Sequence, residues 1–190
     1  MTEAVPLTTE WKPVKLRVED YLMLDDAGAF DSYGRTELIE GEIVYMNAQH
    51  RPHARIQSRL LVLLANELAK RSDGLEALVE GSVAMPPYNV PEPDIAITTE
   101  PEGNGLIPLA SLALVVEVAD TTLRNDLTRK AEIYSREGVP EYWVVDVNAS
   151  VIHQMWAPET SGYSEHRTVP FGSDLAAATI ADLIVDTANL

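Results

Sequence analysis

The hydrophobic positions along the chain change period several times, and each change predicts an element. Residues 1 to 16 form an arm with two prolines and little periodicity, followed by "RVEDYLMLDD", a short amphipathic helix. "RTELIEGEIVYMNA" alternates around a Glu-Gly pair, as a bent strand or hairpin does. "HARIQSRLLVLLANELAKR" sets Ile56, Leu60, Leu63, Leu64 and Leu68 at spacings of three and four, a helix with one strongly apolar face. Three strands follow, in "EALVEGSVAMPP", "PDIAITT" and "LALVVEVA", separated by Pro and Gly.

The stretch "NDLTRKAEIYSREGVPEYWVVDVN" predicts a helix capped by Asn125 or Asp126, stopped at Gly138, and leading into a strand over Tyr142 to Val147. "SVIHQMWAP" and "EHRTVPF" predict a hairpin joined by "ETSGYS". The final "TIADLIVDTANL" predicts either a short helix or an extended packing segment. This order of helices and strands favours an α/β or α+β sandwich with a mixed central β-sheet. We expect residues 17 to 190 to form a single domain behind the arm, since 190 residues with 46% hydrophobic content suffice for one core.

Composition narrows the chemistry. There are no cysteines, which removes disulfides, thiol nucleophiles and Cys-ligated zinc, and fits a cytoplasmic location. The N-terminus lacks the order of a secretory signal and no apolar run spans a bilayer, so a soluble protein without membrane contact is expected. The net charge of −16 argues against a surface built for non-specific nucleic-acid binding. It says little about the field inside one cleft, where a metal ion adds positive charge.

Two carboxylates stand out against that background. Glu117 interrupts the apolar run "LALVVEVA", where an ionised carboxylate costs several kcal/mol unless compensated. Asp94 follows a proline at the mouth of the preceding strand, where simple turn chemistry is the competing explanation. On the next helix Leu123, Leu127, Ala131 and Tyr134 fall within an arc of about 80°, and Lys130 lies about 60° from its centre, within inward reach of a long side chain. The competing reading of Lys130 is a surface ion pair with Asp126 at i, i+4. Two carboxylates on adjacent strands suit Mg²⁺ or Mn²⁺, and a nearby lysine stabilises charge developing on phosphorus.

"PD" at Pro93 and Asp94, "EVA" at Glu117 to Ala119 and "DLTRKAEIYSREGVPEYWVVD" resemble the PD-(D/E)XK nuclease superfamily, and more closely its Uma-type family of bacterial "putative restriction endonucleases". "TELIEGEIVYM" and the helix opening at His53 also resemble that family, so the likeness spans roughly residues 20 to 155. It implies a restriction-endonuclease-like core, a mixed sheet flanked by helices, with the metal site where two central strands diverge. It also implies Asp94 and Glu117 as ligands of Mg²⁺ or Mn²⁺, with the Val118 backbone carbonyl a third. The superfamily pattern has lysine two residues after the acid, where this chain has Ala119. The family is similar in lacking it, and the inward lysine of the next helix corresponds to Lys130.

The resemblance also points to Glu37 in "TELIEG", with Glu40 and Glu42 as neighbouring competitors, and to His53 as a contact to phosphate or water. His53 otherwise reads as a solvated or capping residue. His50, His153 and His166 read as surface or structural, and Tyr142 and Trp143 as core. The expected function is a metal-dependent endonuclease hydrolysing phosphodiester bonds, in duplex DNA, as a homodimer suited to a two-strand substrate. The alternatives are a nuclease-like binding or assembly module without turnover, favoured by the −16 charge, and a metal-dependent hydrolase of small phosphoesters.

Overall fold

A computed structural model describes residues 11–46 and 48–190. The first ten residues of the expected N-terminal arm lie outside the described residues. The alternating and continuous apolar runs become strands of a mixed six-stranded sheet, flanked by helices, as the sequence pattern predicts. Its core is the pair β5 (Ile95–Thr98) and β7 (Leu112–Ala119), both apolar on both faces because helices or hairpins cover each side. β3 (Glu76–Val79) extends the sheet beyond β5, while β8 (Glu141–Asp146), β9 (Val151–Glu159) and β10 (Gly162–Pro170) extend it beyond β7. Only β7 and β8 are parallel; the other neighbours run antiparallel.

Side-chain alternation along β7 divides the interior in two. Leu114, Val116 and Val118 point to one face, where α2 (Arg51–Leu68) lays down Ile56, Leu60 and Leu64. Val115 and Ala119 point to the other, beneath Ala131, Ile133 and Tyr134. Glu117 belongs by phase to this second face. Helix α2 begins at Arg51, two residues before the expected start, because Pro52 fits a first turn whose N–H groups have no intrahelical partner anyway.

The crossover between the two parallel strands departs from expectation. α3 (Leu123–Asn125) begins after Thr122, so neither Asn125 nor Asp126 is the cap. The chain then passes through a π-helical turn at Asp126–Lys130 into α4 (Ala131–Arg136). Gly138, at φ 84°, ends it as the sequence indicated. The π turn inserts an extra residue, so a uniform helical phase misplaces the side chains on it. Lys130 is buried and only 9% exposed, beyond the border position that phase assigned.

α1 (Val18–Asp26) packs Tyr21 against the hairpin of β1 (Thr36–Ile39) and β2 (Glu42–Tyr45), with the Tyr21 hydroxyl donating to the Thr36 carbonyl. The hairpin turns at Glu40 and Gly41, both at positive φ, and a Cβ on Gly41 would meet the Cβ of Lys15 at 2.7 Å. That turn sets the hairpin register and so presents Glu37 inward. The single strand expected over "EALVEGSVAMPP" is broken at Glu80, at positive φ, so that only Glu76–Val79 joins the central sheet; Val83–Ala84 becomes a separate β4, which pairs in parallel with β6 (Ile107–Pro108), a strand outside the pattern. The last segment is extended, forming β11 (Asp174–Ala176) and β12 (Ile184–Asp186), whose Leu175 and Val185 close the core over α2.

Candidate active site

Strand register brings the two carboxylates together. Ile95 pairs with Val116 in the antiparallel β5–β7 ladder, so Asp94, one residue before β5, stands across from Glu117. The Val118 N–H donates to Asp94 Oδ2 at 2.7 Å, fixing the carboxylate at the strand's mouth. Asp94 and Glu117 are 7% and 5% exposed, and both line a cavity of about 610 Å³. Glu37, His53, Val118 and Lys130 line the same cavity, so all six residues singled out from the sequence meet there.

Lys130 provides the positive charge. Its Nζ donates to Glu117 Oε1 at 2.8 Å and to Glu37 Oε1 at 3.3 Å. The alternative surface pair with Asp126 is not formed; Asp126 is buried and accepts the Thr122 hydroxyl at 2.5 Å. Glu40 and Glu42 turn instead to Arg129, at 3.2 and 3.7 Å, leaving Glu37 as the hairpin acid that reaches Lys130. The Glu92 backbone N–H holds Glu37 Oε1 at 2.7 Å.

His53 does not stand as a solvated cap. Its Nε2 lies 3.0 Å from Asp94 Oδ1, and it is half-buried. His50 is exposed but lines the cavity, with Nδ1 3.5 Å from Asp120. His153 faces Thr168 and His166 is exposed, both away from the site. Tyr142 and Trp143 are fully buried core residues, as expected.

Several neighbours escaped the sequence pattern. The Tyr134 hydroxyl donates to Glu117 Oε1 at 2.9 Å. Gln57 donates to the Asp94 carbonyl at 3.2 Å and to Glu80 at 3.3 Å. Tyr134 is four residues after Lys130 and Gln57 four after His53, so i, i+4 spacing from a suspected site residue is the signal that finds both. Asp126, four before Lys130, answers to the same rule.

The electrostatics follow from burial under too few cations. Burial pushes the Asp94 carboxyl up to about 7, against the Val118 N–H and Lys130, which favour its ionised form. Burial also holds Glu117 well above its ordinary range; Lys130 opposes this, while Asp94 and Asp126 reinforce it. Asp126 is raised for the same reason, with the Thr122 hydroxyl opposing. Burial pulls Lys130 down, but Glu117 and Glu37 outweigh it and hold the ammonium charged. Burial lowers His53. Asp94 raised and His53 lowered means that burial favours the uncharged form of each of the two contacting groups.

The donor set suits a hard cation. Both donors to Glu117 engage Oε1, and among the described residues no fully buried side-chain polar atom lacks a partner, so Oε2 opens toward the cavity. Among the described residues no group of three His, Cys, Asp or Glu side chains is set to hold a metal ion. Mg²⁺ needs no such group, since it takes one or two carboxylates and completes its shell with water and substrate oxygens.

The family model described as "Putative restriction endonuclease", Uma2, matches residues 18–188. Among solved structures, the chain resembles the crystal structure of a "putative nuclease belonging to DUF820" from Anabaena variabilis ATCC 29413, with 16% sequence identity and a TM-score of 0.66. That match covers 92% of this chain and 96% of the other, and shows a shared fold. No curated protein matches the chain. Among the described residues no helix is long and apolar enough to cross a membrane.

Proposed function

We propose that this chain, which belongs to the Uma2 family of restriction-endonuclease-like proteins, is a divalent-metal-dependent endonuclease that hydrolyses phosphodiester bonds of DNA. The observation that carries the reading is the meeting of Asp94, Glu117 and Lys130 on one cavity. The acid from the mouth of β5, the acid within β7 and the Val118 carbonyl would hold Mg²⁺ or Mn²⁺. When bound, the ion supplies Lewis acidity toward a phosphoryl oxygen and makes water a stronger nucleophile.

The chain's own residues then divide the remaining work. Lys130, held protonated by Glu117 and Glu37, acts through its charge on the phosphoryl oxygens rather than as a base. Glu37 braces the ammonium from the hairpin side. Once a cation ionises Asp94, His53 donates its Nε2 hydrogen to Oδ1 and orients the carboxylate, as outer partners of metal ligands do. The same reading takes residues 17–190 as one nuclease-like domain, working in the cytoplasm as a homodimer on duplex substrate.

Incubating the purified protein with supercoiled plasmid, and separately with RNA, in Mg²⁺ or Mn²⁺ tests the reading. Nicked or linear DNA is expected, with loss in chelator and a fall of at least about 100-fold for Asp94→Ala. Absence of cleavage with either ion on either nucleic acid refutes it, as does an Asp94→Ala protein that cuts like the parent. Calorimetry that finds no divalent-ion binding would favour the assembly-module alternative.

A further inference from the structure

Resting on the nuclease reading, we propose that the first half of α2 is straddled by the two backbones of a DNA duplex, with Arg51, Arg55 and Arg59 holding the strand opposite the one in the active-site cavity. These three arginines are exposed, and among the described residues none forms an ion pair or hydrogen bond. Arg35 is engaged with Glu80 and Glu92, Arg71 with Asp73, Arg129 with Glu40, Arg136 with Glu137 and Arg167 with Gln154, while Arg17 and Arg124, also exposed and without such partners among the described residues, each stand alone on their own element. In a chain of net charge −16, three free guanidinium groups on one helix face make a local reversal of sign.

Their spacing fits a phosphate backbone. Positions four apart on a helix advance about 6 Å and rotate about 40°, so the row climbs roughly 12 Å along α2. That length matches three to four nucleotides of one strand, at about 3.4 Å each. The row borders a groove of about 460 Å³ that Val147 and Leu190 close from the opposite side.

The groove and the active-site cavity both reach the start of α2. His50 and His53 line the cavity, whereas Arg51 and Arg55 line the groove. Helical phase puts His53 about 160° from Arg55, so the arginines stand on the flank of α2 away from the acids. A single strand threading the cavity reaches both flanks only by bending round the helix end. The backbones of a B-form duplex, separated by a major groove about 12 Å wide, reach both flanks of a helix about 10–12 Å across. A-form RNA, with its narrow major groove, does not.

Fluorescence anisotropy in chelator, where nothing is cut, tests this with a labelled DNA duplex and its single strand over roughly 50 to 200 mM salt. Arg51→Gln/Arg55→Gln/Arg59→Gln is expected to lower the slope of log K against log salt by about 2.7 on the duplex. The parent's advantage over the variant then shrinks about 40-fold across that range. Arg55→Gln alone is expected to lower the slope by about 0.9, which serves should the triple variant fold poorly. A control of equal charge change, Thr160→Glu/Ser161→Glu in the β9–β10 turn with Ser164→Glu at the exposed start of β10, is expected to leave the slope unchanged.

Equal duplex affinity in parent and triple variant overturns the straddling geometry while the nuclease reading stands. So does an equal effect from the control, or a variant that changes the oligomeric state instead of DNA affinity. A parent that binds no nucleic acid overturns both readings together.

Discussion

Replacing Asp94 by asparagine should make the protein more stable at pH 8 in the absence of divalent ions, although it removes a residue we place at the centre of the site. The amide keeps the local contacts. Its oxygen still accepts the Val118 N–H, and its Nδ2 donates to His53 Nε2, which is free to accept because burial keeps the ring neutral. What the substitution removes is an ionisation that the cavity disfavours.

The sign follows from proton binding. In the folded protein the Asp94 carboxyl titrates near 7, against 3.8 for an ordinary aspartate. Between those values the folded state holds more protons than the unfolded chain, so parent stability falls as pH rises through that window. At 1.36 kcal/mol per unit the loss has a ceiling of about 4 kcal/mol, and water entering through the cavity reduces it to about 2 to 4 kcal/mol. Below about pH 4 the carboxyl is protonated in both states and the two proteins should match. Urea unfolding from pH 4 to pH 8, with chelator present, measures this. An Asp94→Asn protein less stable than the parent at pH 8, or a pH dependence as steep as the parent's, refutes the claim that Asp94 is held unwillingly ionised.

Three further outcomes follow from the same geometry. Saturating Mg²⁺ or Mn²⁺ should raise the parent's melting temperature more at pH 8 than at pH 5, where protons compete for Asp94 and Glu117; at 100 times Kd the gain is about 2.7 kcal/mol, read by differential scanning fluorimetry. Lys130→Met should cost about 3–5 kcal/mol in urea unfolding at pH 8, because it strands Glu117 and Glu37, and adding Glu117→Gln should recover part of that loss. Glu141→Gln should cost about 2–3 kcal/mol, since that fully buried carboxylate accepts from Trp143, Gln154 and the Ala178 and Thr179 N–H groups, and hydrogen exchange should quicken around Ala178.

Legibility in the sequence tracked how locally each feature is determined. Helix α2 and strands β5, β7 and β8 were readable because their periodicity is unbroken and their burial strong. The hairpin of β1 and β2 was readable from Glu40-Gly41, a turn that needs positive φ at both positions. β6 was not, and β4 was not separable from β3, since two-residue strands paired in parallel carry no period of their own. The terminal segment stayed open between a short helix and an extended packing segment because Ile180, Leu183 and Ile184 carry helical spacing while Leu183 and Val185, which are the pair buried against the core, alternate as a strand does. Within the site, Glu117 announced itself by its cost. Tyr134 and Gln57 did not, because a buried tyrosine or glutamine is ordinary until its partner's position is known.

The inward setting of Lys130 on the crossover helix has a packing logic. A residue two places after Glu117 on β7 points to the same face, and here it is Ala119, fully buried against the α4 side of the sheet. A side chain that small leaves the space above β7 to whatever the crossover helix offers. Ala131, the first residue of α4, is equally small and belongs to the same buried cluster as Ala119. An ordinary helical turn would have left Lys130 at the edge of that cluster. The π turn at Asp126–Lys130 shifts it inward until Nζ lies 2.8 Å from Glu117, restoring from the helix the charge that the strand lacks. An extra residue in a helix costs backbone hydrogen bonding, and it persists where the surrounding structure gains from it. Here the gain is the compensation of two buried carboxylates that no other cation among the described residues reaches by hydrogen bond. The irregular turn, the two alanines and the buried acid are thus one arrangement, and each is hard to explain without the others.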